Sequence, residues 1–143
     1  MRRRLTIVAA AVVMLVGGSL LLVARGGDDS QPAAANGTGL DTQTLSVGQI
    51  DIQIEPRQLD EQGAVFVVTL DTHSVELSMD LTAAELDVGG ITWPVAGWDG
   101  DGPSGHHREG ELRFDAAGSA TGTARLVLAG LPEPVAVSWE LNP

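Results

Sequence analysis

"IDIQIEP", residues 50–56, places Ile50, Ile52 and Ile54 on one side of the chain and Asp51 and Gln53 on the other. Strict alternation is the period of a β-strand with one face buried. Pro56 has no N–H to give to a ladder, so the strand is expected to end there. The next apolar run, "GAVFVVTLDT" at 63–72, has strand length and β-branched content, with Phe66, Val68 and Leu70 on one face and Val65, Val67 and Thr69 on the other. Two such strands with a short connection set the fold class as β and antiparallel.

Working outward, a further strand is expected through Val75, Leu77 and Met79. The rhythm breaks at "DLTAAEL", where Thr82 and Glu85 have the spacing that caps a single helical turn. "ELDVGGITWPV" reads as a hairpin: Leu86 and Val88, a Gly89-Gly90 turn, then Ile91 and Trp93. Strands are also expected at "GELRF" (Leu112, Phe114), "GTARLVLAGL" (Ala124, Leu126, Leu128) and "PVAVSWEL" (Val135, Val137, Trp139, Leu141). Seven or eight short strands within residues 45–143 predict an all-β fold, an immunoglobulin-like antiparallel β-sandwich, with a partly closed barrel as the alternative. Phe66, Phe114, Trp93, Trp98 and Trp139 supply bulk for its core.

The N-terminus obeys different physics. Arg2, Arg3 and Arg4 precede an uncharged apolar run from Leu5 to Ala24. At about 1.5 Å per residue such a run spans roughly the 30 Å of a bilayer core. Residues 1–25 are therefore expected to be a transmembrane anchor with its basic end in the cytoplasm, or a signal peptide cleaved after Gly26. The first alternative gives a single-pass membrane protein with an extracytoplasmic domain; the second gives a secreted one. Residues 26–44, small and polar, read as a flexible tether.

The chain has 19 acidic residues, 8 basic ones and no cysteine, for a net charge of −11. All the basic residues are arginine, and only Arg57, Arg108, Arg113 and Arg125 lie beyond residue 26. Nucleic acid repels such a surface, so it is not an expected partner. Without cysteine there are no disulfides, thiolate metal sites or thiol nucleophiles.

Chemistry concentrates around the three histidines. "LDTHS" carries Asp71 and His73; "WDGDGPSGHHREG" carries Asp99, Asp101, His106, His107 and Glu109 in a glycine-rich loop leading into a strand. One reading is a zinc or copper site built from His73, His106 and His107, with Asp71, Asp99 or Asp101 as the carboxylate. Adjacent His106 and His107 point to opposite faces of a regular strand, so this needs an irregular loop. A second reading gives the histidines a structural role at the strand ends, and a third makes them a protonation switch. Arg108 is expected to pair with a carboxylate. "DGDG" at 99–102 lacks the glutamate that completes a calcium loop, and no nucleophile elbow accompanies Asp71, His73 and Ser74.

The pieces "THS" at 72–74, Trp98 and "GHHR" at 105–108 resemble an uncharacterised family of prokaryotic exported or membrane-tethered proteins. These share a Thr-His-Ser motif and a later Trp…Gly-His-His-Arg motif. The resemblance runs from about Ile50 to Leu141 and implies a small β-sandwich without an assigned activity; the segment between Leu81 and Ile91 is short for the pattern. Two functions are carried forward. The first is a membrane-tethered, non-enzymatic binding module that takes a divalent transition metal through its histidines. The second is an adhesion or assembly module, with a protein partner outside the cytoplasm, whose histidines only stabilise a loop.

Overall fold

The computed structural model describes residues 38–141; the expected anchor or signal peptide and most of the expected tether lie outside them. Nine strands form two antiparallel sheets: β1 (Gln43–Val47), β2 (Ile50–Asp60), β3 (Gly63–Thr72), β4 (Glu85–Val88), β5 (Ile91–Trp93), β6 (Val95–Gly100), β7 (His107–Phe114), β8 (Gly122–Leu128) and β9 (Val135–Leu141). One sheet has the order β1-β2-β3-β7-β6 and the other β5-β4-β8-β9. The all-β sandwich expected from the periodicity is what forms. Its first three strands make a meander within one sheet, whereas an immunoglobulin constant domain sends its second and third strands to different sheets.

The alternation in the sequence becomes the inner face. Ile50, Ile52 and Ile54 of β2, and Phe66, Val68 and Leu70 of β3, meet Leu86 and Val88 of β4, Leu126 and Leu128 of β8, and Val137 and Trp139 of β9 in one buried cluster. Phe66 joins the layers: its ring stacks on Trp139 at 5.3 Å between centroids and meets Phe114 edge-on at 6.0 Å. The Gly89-Gly90 turn forms as expected, both glycines at positive φ, and sets Leu86 opposite Trp93.

Four local expectations are corrected, and one strand appears that was not expected. Pro56 does not end β2; a bulge between Pro56 and Gln58 carries the strand on to Asp60. The proline is tolerated because β1 stops opposite Ile54, leaving nothing for its missing N–H to bond. The sheet also begins at Gln43, inside the stretch 26–44 read as tether, with Leu40 packed against the core.

No strand forms through Val75, Leu77 and Met79. That segment crosses from one sheet to the other, burying Leu77 and leaving Val75 exposed. The turn that follows is a 3-10 turn, Leu81–Ala83, capped by Asp80 rather than Thr82. Asp80 Oδ1 accepts from the Thr82 N–H at 2.9 Å and hydroxyl at 2.6 Å, and these donors hold its carboxyl below the usual aspartate value. Finally, β6 is a strand the sequence did not lead us to expect, because Gly97, Asp99 and Gly100 dilute the strand formers Val95 and Trp98.

Candidate functional site: a buried arginine beneath the histidine pair

The histidine motif lies where β3 ends and β7 begins. Its strand starts earlier than "GELRF", so His107 and Arg108 are ladder residues, opposite Asp71 and Leu70. Only His106 remains in the loop. Alternation then decides both side chains: His107 points to solvent and Arg108 points into the sandwich.

Arg108 is 2 % exposed. The expected carboxylate partner is absent: no ion pair to Arg108 forms among the described residues. Backbone carbonyls surround its fork instead. Nη1 donates to Met79 O at 2.7 Å and Leu77 O at 3.3 Å, while Nε and Nη2 both donate to Asp101 O at 3.3 and 3.2 Å. Burial lowers its pKa from the usual arginine value, against the attraction of Asp101 and Asp80. A guanidinium is the side chain able to reach three carbonyls from one planar group.

Trp98 completes the arrangement. Its ring lies 5.7 Å from the Arg108 guanidinium carbon, and its indole N–H donates to Asp101 O at 2.8 Å. The ring can reach because β6 and β7 carry glycine at facing positions, Gly100 opposite Gly110. A Cβ on Gly110 would sit 2.5 Å from Gly100 Cα, 2.7 Å from Asp99 O and 2.7 Å from the Trp98 ring. Gly110 therefore serves the close approach of two strands beneath an indole. In the sequence it is legible only as one more glycine of a glycine-rich loop.

Backbone bonds stitch the motif to the crossing segment. Thr72 N donates to His106 O at 2.9 Å and Leu77 N to Gly105 O at 2.8 Å. Gly105 N in turn donates to Glu76 at 3.1 Å. The Asp101 carboxylate accepts the Glu109 N–H at 2.9 Å, tying the β6–β7 connection to itself.

On the solvent face, Asp51, Asp71 and His107 line up across β2, β3 and β7. Like charges directly opposite repel. Here His107 Nδ1 lies 2.6 Å from Asp71 Oδ1, and the Ser46 hydroxyl donates to Asp51 at 2.5 Å. The Asp71 hydrogen bond is the main cause of a raised His107 pKa, helped by the charges of Asp71, Glu109 and Asp101. The same solution recurs two rows on, where Arg113 bonds Glu111 and reaches Asp99 at 3.7 Å across the Asp99–Glu111 pair.

Of the six candidate metal ligands, the structure brings together Asp71 and His107. Asp101 is occupied by the Glu109 N–H and Asp99 faces Arg113. The rings of His73 and His106 are exposed, and no hydrogen bond or ion pair engages them among the described residues. Nor do the described residues contain any group of three or more His, Asp or Glu side chains placed to hold a metal ion. The concavity of about 350 Å³ lined by Leu40, Arg57, Leu59, Asp60, Ala120 and Leu141 includes none of these residues.

No protein-family model matches the chain, and neither a curated protein nor a solved structure shows significant similarity to it.

Proposed function

We propose that this chain is an extracytoplasmic, membrane-tethered β-sandwich acting as a non-enzymatic binding and assembly module, with its Gly-His-His-Arg motif as a structural clasp. The observation that carries this reading is Arg108. The most specific part of the motif is spent on three carbonyls and an indole, inside the fold, where no ligand reaches it. The histidines mark the ends of the ladder that the clasp secures. The apolar run at Leu5 to Ala24, with Arg2, Arg3 and Arg4 before it, supports presentation outside the cytoplasm. The resemblance to exported proteins with these motifs supports the same placement.

One observation favours the second reading, transition-metal binding. A metal-bound histidine commonly gives its other ring nitrogen to a carboxylate, and His107 Nδ1 faces Asp71 in that manner, leaving Nε2 outward. The two readings separate in a calorimetric titration of Zn²⁺ and Cu²⁺ into the purified chain. The clasp reading expects no one-to-one site that His73→Ala, His106→Ala and His107→Ala all weaken. A micromolar site lost in these variants would replace it with metal handling.

A further inference from the structure

Four strands bound the sandwich: β1 and β6 in one sheet, β5 and β9 in the other. An open edge is a template for another strand, and proteins usually shorten it, bend it or charge it. β6 is bulged between Val95 and Gly97, with the 3-10 turn packed on it. β5 has three residues and runs into Pro94; β1 has five.

β9 carries no such guard. It runs seven residues in unbroken register with β8, without proline or a basic side chain. Its one charged residue, Glu140, is drawn back onto β8, where the Thr123 hydroxyl donates to its carboxylate at 2.9 and 3.1 Å. Beyond the β8 ladder no backbone hydrogen bond engages β9 among the described residues. What it offers is bare backbone, flanked on the outer face by Ala136 and Ser138.

We propose that β9 pairs antiparallel with β9 of a second copy of this chain, about a two-fold axis at Ser138, joining two four-stranded sheets into one. The residue set is self-complementary in that register. Inner positions meet inner positions, so the row Val135, Val137, Trp139 continues across the axis. On the outer face Ala136 lies opposite Glu140 of the partner subunit, and no charge faces a like charge. The two Glu140 carboxylates stand four residues apart, roughly 14 Å, beyond the ~8 Å screening length of physiological salt. The contact is isologous and closed, ending at a dimer. It gives the assembly reading a partner and rests on that reading.

The chain's lack of cysteine makes the test direct. Facing residues of an antiparallel pair have Cα atoms about 4.5–5.5 Å apart, within disulfide range. Under mild oxidation of the full chain in detergent, Ser138→Cys is expected to give a covalent dimer, whereas Gln53→Cys, exposed on the other sheet, stays monomeric. Adding Ala136→Glu should cut the Ser138→Cys cross-link about ten-fold by setting like charges in opposition, and adding Glu140→Lys to that variant should restore it. Ser138→Cys chains that melt normally but cross-link no faster than Gln53→Cys, or whose yield ignores both charge changes, would overturn the pairing. The clasp reading would survive that result, since it rests on the Arg108 contacts and not on the β9 edge.

Discussion

A guanidinium taken out of water needs acceptors in the plane of its fork, and at Arg108 these are the carbonyls of Leu77, Met79 and Asp101. Removing the donors takes the guanidinium partner from the carbonyls of Leu77 and Met79, which must then find water or go unpaired, while Asp101 O keeps the Trp98 indole N–H. Arg108→Met is therefore expected to destabilise the domain by about 3 kcal/mol or more in denaturant unfolding. Arg108→Lys should recover less than half of that, because an ammonium cannot span three carbonyls. His107 makes the opposite use of its neighbour, on the surface. Its folded pKa is raised above the usual imidazole value, chiefly by Asp71. The charged form is thus favoured in the fold. The stabilisation is fully present below the unfolded imidazole pKa and is lost as pH rises through the raised one. Thermal melts of the native chain should show this loss, small for an exposed pair, and Asp71→Asn should remove the larger part of it. An NMR titration should find His107 above the usual value in the native chain and lower in Asp71→Asn.

Among the elements, the crossing segment after β3 shows what a ladder loses when a side chain claims its backbone. Val75, Leu77 and Met79 alternate like a strand, yet Arg108 takes the carbonyls of Leu77 and Met79, and Gly105 takes the Leu77 N–H. The same competition is invisible in a local window, because Arg108 lies 31 residues beyond Leu77. β6 and β7 depend on a different local condition, the Gly100–Gly110 contact under Trp98. Gly110→Ala would force a Cβ to within 2.5 Å of Gly100 Cα. It is expected to cost about 1–3 kcal/mol by overpacking, and to broaden or shift the NMR signal of the Trp98 indole N–H, which depends on the same geometry.

At the scale of the whole molecule, aromatic contact joins the two sheets where Phe66 of β3 stacks on Trp139 of β9, while Phe114 meets Phe66 edge-on from β7 of the same sheet. Phe66 is fully buried, and Phe66→Ala is expected to cost about 3–5 kcal/mol, the largest single core effect here, measured as a fall in the denaturant midpoint. The period-two pattern of Ile50, Ile52, Ile54, Phe66, Val68 and Leu70 by itself determined that these residues form strands with one buried face, since alternation in a chain maps directly onto the two sides of a pleat. The Gly89-Gly90 hairpin was equally legible, as both positions take the positive φ that glycine adopts freely. The sequence also set the Gly-His-His-Arg stretch apart, but did not say which of its side chains lies inside the fold. Whether Arg108 or His107 faced inward depended on where β7 began, and a one-residue shift in a ladder exchanges its faces. Which strands became neighbours, which carbonyls met the guanidinium and which edge stayed bare were decided only by the tertiary structure, because each joins residues tens of positions apart that no local periodicity can relate.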